Sequence, residues 1–360
     1  MKFDKLILLI CLILRSTIFV QAQIKFKDAS EFKLLGKISD DTETLYERLP
    51  AFLKNLTREP VWNLGKNTSG LAIRFRSNSS SVSAKWEVLA NVNLNHMTQT
   101  GVKGLDLYAW KDNSWQFVNS ARPTGKINEA VIISNMDAVE REYILYLPLY
   151  DGVINLQIGV DSTAFIEMPK LAFPDTDNPI VFYGTSITQG GCATRPGMSY
   201  PNILNRFLNQ EIINLGFSGN GQLDYEIADL MRTKTNASLF VLDFIPNVSL
   251  EQIKEKTIPF VNKLRDKDGK IPILFVESVL FTHLSFDNVA NRIVADKNKE
   301  LKNQFQKLKS LGYENIHFLS AENLIGIDGE ATVDGVHLTD LGFLRMAEVL
   351  KTEIDKIIKK

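Results

Sequence analysis

An aspartate three residues before a histidine, as in DGVH at Asp334 and His337, is a base with its own orienter. A carboxylate on one ring nitrogen fixes the tautomer and leaves the lone pair of the other free to take a proton. A neutral hydroxyl is a weak nucleophile, so such a pair has use for a serine. The best candidate is Ser186 in VFYGTSITQGG, about half the chain earlier. The tetrahedral intermediate of acyl transfer also needs donors aimed at its oxyanion, and two segments between Ser186 and His337 can supply them. One is NLGFSGNG, where Gly219 offers a main-chain N–H that no side chain shields; the other is DFIPN, ending on the amide of Asn247. The N–H of Ser186 completes the set. The ordered series Ser, Gly, Asn, DxxH says more than any one motif, and its chemistry is ester cleavage through an acyl-enzyme. GTSIT lacks the second glycine of G-x-S-x-G, so the sharp nucleophile elbow of the α/β-hydrolases is not signalled.

The remaining reactive residues suggest other duties. His317 falls in an apolar strand and, with His96, is expected to be structural, whereas His283, in the loop after IPILFVES, is expected to border the pocket. No histidine pair has the HExxH spacing and no cysteine cluster exists, so neither a metal nor another cofactor is expected. Cys192 is read as a small packing residue. Trp62, Trp86 and Trp110 lie in stretches that favour burial. Trp115, flanked by Asn113, Ser114 and Gln116, is expected to be exposed and is a candidate substrate contact. Asp106 in GLDLY is a second candidate, able to hold a strand corner or reach the catalytic rim.

These groups need elements to hold them. From about Phe26 to Leu171, short alternating runs such as Leu71, Ile73, Phe75 and Val82, Ala84, Trp86, Val88 are broken by SNSSS and similar turns, which predicts an antiparallel sandwich. Only LYERLPAFLKNL hints at a helix there, and FPDTDNP, 173–179, reads as a linker. Beyond it, the apolar strands IVFYG, EIINLG, SLFVLDFI and IPILFVE alternate with amphipathic helices, the pattern of a parallel sheet covered on both faces. Ser186, Gly219 and Asn247 each follow a strand, and DGVH precedes the last helix. All four blocks therefore fall on the carboxyl rim, where such sheets bind ligands.

The chain has 360 residues, 44% hydrophobic and 23% charged, enough for two domains with ordinary cores. Lys2 and Lys5, the apolar run Leu6 to Leu14 and the ending VQA predict a signal peptide cleaved after Ala22. Removal of that leader leaves no membrane span and a single cysteine. It also leaves 38 basic against 41 acidic residues, a net charge of −3, which gives no electrostatic case for nucleic acid or an anionic membrane. The expected location is secreted or periplasmic.

In order and spacing the four blocks resemble the SGNH (GDSL-type) hydrolases, and the likeness extends through GTSITQGGCATRPGMSYP, INLGFSGNG, LDFIPN and DGVHLTDLGF. MTQTGVKGLDLYAW is similar to the GxDLY module that precedes such domains. Thr185 stands where the wider family has Asp, and Leu338 where Pro often follows the histidine. The resemblance implies a three-layer α/β/α catalytic domain at 175–360 behind a jelly-roll-like β-sandwich at 23–174, with 1–22 as leader. It implies Ser186, His337 and Asp334 as the triad, with Ser186, Gly219 and Asn247 around the oxyanion. It further implies an acylated carbohydrate, most simply an O-acetylated one, as substrate. Two other readings stay open: a lipase, lysophospholipase or thioesterase for longer acyl chains, and a carbohydrate-binding surface protein with an inactive hydrolase domain.

Overall fold

The structure is a computed structural model that describes residues 23–171, 175–265, 269 and 271–358; the expected leader, 1–22, lies outside them. Among the described residues no helix is long and apolar enough to cross a membrane.

The alternating N-terminal runs pair into two antiparallel sheets. One has the order 24–28, 153–161, 82–88, 127–133; the other has 166–167, 72–77, 141–146, 105–111, 114–121, with 34–35 added beside 72–77. Their facing sides enclose Phe75, Trp86, Leu107, Tyr143, Leu145 and Ile158, and the Trp86 indole donates to the carbonyl of Lys103 at 2.9 Å. Alternation in the second sheet is misleading on one point. Arg74, which alternates with Ile73 and Phe75 as a solvent-facing residue would, is buried, because the outer face of that sheet packs against the second half of the chain.

The second half is a five-stranded parallel sheet, in the order Gln210–Gly216, Asp175–Gly184, Leu239–Asp243, Ile273–Val276, Ile316–Leu319. Period two divides its central strand between two cores. Val181 and Tyr183 point toward the helices Leu250–Leu264 and Asn288–Ser310, and Ile180 and Phe182 toward Tyr200–Leu208 and Asp340–Ile358. The result is an α/β/α layer structure behind a β-sandwich.

Two local expectations change. The helix read over LYERLPAFLKNL, 45–56, is only a 3-10 turn at Ala51–Asn55, and a short helix follows beyond it at Glu59–Gly65. Pro50 disfavours the helical conformation at Leu49, so the turns cannot merge upstream. The linker read over 173–179 is largely strand, since Asp175–Gly184 starts within it and Asp175 pairs with Gln210 across a register shift before Ile180.

The two halves also share their cores. Ile38, Leu49, Leu53, Val61 and Trp62 join the first core of the parallel sheet, and Met97, Val102 and Leu149 join the second. Between the halves lies Arg48, 1% exposed, whose guanidinium donates to the carbonyls of Asn67, Leu64, Asn214 and Gly216 at 2.7–2.9 Å. Burial depresses its pKa to about 9. Replacing it by methionine keeps the stem but leaves those carbonyls without donors. Arg48→Met is expected to lose on the order of 3–5 kcal/mol of unfolding free energy in a urea titration; a loss below about 1 kcal/mol, the scale of an exposed pair, would refute this role for the buried charge.

Candidate active site

Each rim loop is held by local chemistry that can be traced to its residues. At the end of the strand Asp175–Gly184, the Thr185 hydroxyl accepts from the N–H of Ile187 at 3.3 Å and caps the single helical turn Ser186–Gln189. Thr185, where the family has Asp, thus keeps a capping oxygen. As first residue of that turn, Ser186 has an N–H with no acceptor inside the helix. The next strand delivers Phe217, whose N–H bonds the Gly184 carbonyl at 3.0 Å, and then the exposed Gly219 at φ +68°, a left-handed conformation that favours glycine. The third strand leads to a 3-10 turn, Ile245–Asn247. There the Asn247 Oδ1 accepts from the N–H of Gly221 at 3.2 Å, which leaves its NH2 group as the donor available to a ligand.

The DGVH turn winds on its own aspartate. Oδ1 of Asp334 accepts from the N–H groups of Val336 and His337 at 3.0 and 2.8 Å, while Oδ2 holds Nδ1 of His337 at 2.8 Å. Nε2 of His337 lies 3.0 Å from Oγ of Ser186. Partial burial opposes ionisation of Asp334, but the bonds from the His337 ring and the two main-chain donors prevail and hold its pKa down to about 2. Glycine is required beside this ring for reasons of space. A Cβ on Gly191 would stand 3.0 Å from Cδ2 of His337 and 2.7 Å from the Tyr150 hydroxyl. Cys192 is buried, and desolvation followed by the Asp334 charge pushes its thiol up to about 12, so it is no thiolate nucleophile at neutral pH.

The N-terminal half braces these loops. Thr98 and Thr100 both donate to the carbonyl of Thr194 at 2.6 Å, and the N–H of Thr194 donates to Asp340 at 2.9 Å. Gly101 packs so closely that a Cβ there would lie 2.1 Å from the carbonyl oxygen of Ala193. The Tyr150 hydroxyl reaches the Ser186 carbonyl at 3.3 Å. Gln189 joins three segments: Oε1 accepts from Ser218 N at 2.9 Å, and Nε2 donates to Asn67 and to the Leu149 carbonyl at 3.1 and 3.0 Å.

Ser186, His337 and Asp334 are thus brought together, with Gly219 and Asn247 on the adjoining loops. The other candidates go elsewhere. Asp106 is 0% exposed and cannot touch a substrate: Oδ2 takes bonds from Arg195 at 2.7 Å and Gly197 N at 2.9 Å, and Oδ1 takes one from Ser120 at 2.6 Å. It clamps the sandwich to the loop that follows Ser186. Trp115 is half-buried rather than exposed, edge-on to Trp110 with centroids 5.2 Å apart and beneath the Arg74 guanidinium at 5.0 Å, because the second sheet is covered on that side. His283 supports the DGVH turn from below, its Nδ1 being 2.9 Å from the Gly335 carbonyl. His96, read as structural, stands beside the group of Ser186, His337 and Asp334, a place that reading did not indicate. Its ring stands 5.5 Å, centroid to centroid, from that of His337. Its place in the polar loop NLNHMTQT, outside any alternating run, was the available signal.

Beneath the serine turn lies a buried carboxylate. Asp243 accepts from Tyr200 at 2.9 Å and from Thr188 at 3.1 Å. Burial drives its pKa up to about 7, and the two hydroxyls offset only part of that rise.

An α/β/α sheet with Ser, His and Asp converging on its carboxyl rim, behind a sandwich that braces them, is the architecture of the SGNH hydrolases. Residues 177–355 match the GDSL-like lipase/acylhydrolase family and residues 24–166 match the N-terminal GxDLY domain of SGNH-hydrolase-type esterases. A solved structure described as a GDSL-like lipase, from Bacteroides ovatus ATCC 8483, is 38% identical, with 94% of this chain and 98% of that one covered and a TM-score of 0.89. The chain therefore belongs to the GDSL-like lipase/acylhydrolase family. It is a carboxylic ester hydrolase. More distant structures share the fold. A family two carbohydrate esterase from Cellvibrio japonicus is 14% identical, with 94% and 99% covered and a TM-score of 0.59. An acetyl xylan esterase from Butyrivibrio proteoclasticus is 11% identical, with 92% and 98% covered and a TM-score of 0.55. No curated protein sequence matches the chain.

The raised pKa of Asp243 has a stability consequence of definite sign. An unfolded carboxyl loses its proton near pH 4, whereas the folded one keeps it to about 7, so stability falls as pH rises through that window and levels off above it. Asparagine accepts the same hydroxyl bonds without a charge. Asp243→Asn is expected to flatten the profile between pH 4 and 7 and to be more stable at pH 8 by on the order of 2–4 kcal/mol. Parallel urea titrations across the range check this, and an unaltered profile in the variant would remove Asp243 as its source.

Proposed function

We propose that this protein is a secreted serine esterase that removes a small acyl group, acetyl in the simplest case, from a carbohydrate. Residues 1–22 act as its leader, 23–174 as the bracing domain and 175–360 as the catalytic domain. The reading rests on one observation above all: Oγ of Ser186 lies 3.0 Å from Nε2 of His337, whose Nδ1 is held 2.8 Å from Asp334.

In the proposed reaction Oγ of Ser186 attacks the ester carbonyl carbon as its proton passes to Nε2 of His337. Asp334 stabilises the imidazolium from Nδ1. Charge on the carbonyl oxygen is met by the N–H groups of Ser186 and Gly219 and the amide of Asn247. Collapse expels the alcohol, which takes the proton from His337. A water, deprotonated by the same ring, attacks the acyl-serine, and the acid leaves as Ser186 recovers its proton. The carbohydrate part of the proposal is supported by the shared fold of the carbohydrate esterases and by near-neutral charge, which suits an uncharged polymer.

A second reading, hydrolysis of longer acyl esters, is favoured by one feature. A cavity of about 410 Å³ is lined by Phe281, Leu284 and Phe286 from the loop after the strand Ile273–Val276 and by Ile325 and Ile327 from the segment that leads into the DGVH turn. Phe286 and Ile327 are 87% and 92% exposed, an apolar surface that an alkyl chain could cover.

Ser186→Ala is expected to abolish turnover while melting as the wild type does; retained turnover would end the serine mechanism. Asn247→Ala should lower kcat by about 10²–10³ with little change in KM, as loss of one oxyanion donor does. Nitrophenyl acetate should be cleaved with a higher kcat/KM than nitrophenyl octanoate. The opposite preference selects the longer-chain reading. Mass spectrometry of acetylated polysaccharides before and after treatment reports whether acetyl is lost from a glycan.

A further inference from the structure

Three potential ligands converge on His337 and make with it a set of four from three separate segments. His96 comes from the N-terminal half, Cys192 from the loop after Ser186, and Asp334 and His337 from the DGVH turn; one ligand atom of each lies within 4.8 Å of all the others. Two neutral imidazoles, a thiolate and a carboxylate form a zinc-type donor set, and in a tetrahedral zinc site such atoms stand about 3.3–3.8 Å apart. The required contraction of about 1 Å is within reach of side-chain rotation. The charges match as well, since one thiolate and one carboxylate neutralise a divalent cation, which makes the filled site neutral where Cys192 is already buried. Nitrogen and sulfur donors exclude magnesium and calcium and favour zinc.

We infer that His96, Cys192, Asp334 and His337 form an inhibitory site for zinc, which switches the esterase off by occupying its general base. Binding exchanges the Cys192 S–H bond for a Zn–S bond and releases the proton to solvent. His337 has two ring nitrogens, one bonded to Asp334 and the other facing Ser186. Whichever of them takes the metal, one of those two hydrogen bonds is lost, and with it proton transfer from the serine. The metal also ties the N-terminal loop to the catalytic turn, so it stabilises the fold by mass action. Inhibition, unlike binding, rests on the reading of His337 as the base.

Cobalt(II) serves as the spectroscopic probe. Titrated into metal-free protein, it is expected to give the intense visible bands of a tetrahedral ion and a thiolate-to-metal charge-transfer band, with the latter lost in Cys192→Ser and the affinity at least 10-fold weaker in His96→Gln. Zinc should inhibit ester hydrolysis by the wild type and raise its melting temperature, and a chelator should restore activity. Cys192→Ala is expected to hydrolyse normally without metal and to require at least 10-fold more zinc for half-inhibition; Cys192→Ser serves if alanine impairs folding, as judged by circular dichroism. No charge-transfer band, together with equal zinc sensitivity in both proteins, overturns the site. A thiolate band with undiminished hydrolysis overturns the inhibition and counts against His337 as base, a reading that Ser186→Ala tests separately.

Discussion

Arg48 carries its charge into the junction of the two halves, where among the described residues its hydrogen bonds go to main-chain carbonyls from both sides. A guanidinium is always charged near neutral pH and has five donors in a plane, so it can satisfy several such oxygens at once. Two of those carbonyls, Asn214 and Gly216, belong to the strand that feeds the Gly219 loop. The guanidinium also lies 5.2 Å from the centre of the Phe217 ring, the first residue of that loop. Without this cation the end of the strand would present unmatched oxygens to a buried interface. The Gly219 loop is thus positioned from outside the sheet that carries it.

The same dependence recurs around the rim. Parallel strands end where their hydrogen-bond ladder ends, and the loops beyond them are short in regular structure and rich in glycine. Something else must hold them still. Here the sandwich does so, through Asp106 on Arg195, Thr98 and Thr100 on Thr194, Tyr150 on Ser186 and Gln189 between Asn67, Leu149 and Ser218. The shared hydrophobic cores make this a continuous packing unit rather than a docked accessory. In this chain the GxDLY module thus braces the rim loops of the parallel sheet. Its aspartate is spent wholly on that clamp, with no exposed atom left for a ligand.

The DGVH turn itself is self-contained. Asp334 accepts two main-chain bonds and one ring bond within four residues, so the motif DGVH already specifies its own geometry. That is why the Asp334–His337 pair and the strand–helix alternation could be read without a structure: each follows from local spacing. The exposure expected of Trp115 was wrong and the two roles open to Asp106 stayed undecided because both depend on what crosses over from the other half. Arg74 likewise alternates as a surface residue does and is buried by a neighbour that local pattern cannot reveal. The linker over 173–179 looked irregular because of its Pro and Asp content, yet pairing with Gln210 extends the strand into it.

By itself, the sequence determined the periods, two and then mixed, that make a sandwich followed by a parallel sheet, and the order of blocks that puts a serine, two donors and an Asp–His pair on one rim. These depend on neighbours within a few residues, where spacing translates directly into direction. Only the tertiary structure decided that the sandwich is fused to the sheet, that a buried arginine bridges them, and that His96 and Cys192 crowd His337. Those facts rest on contacts between residues about 90 to 240 positions apart, which no local period encodes.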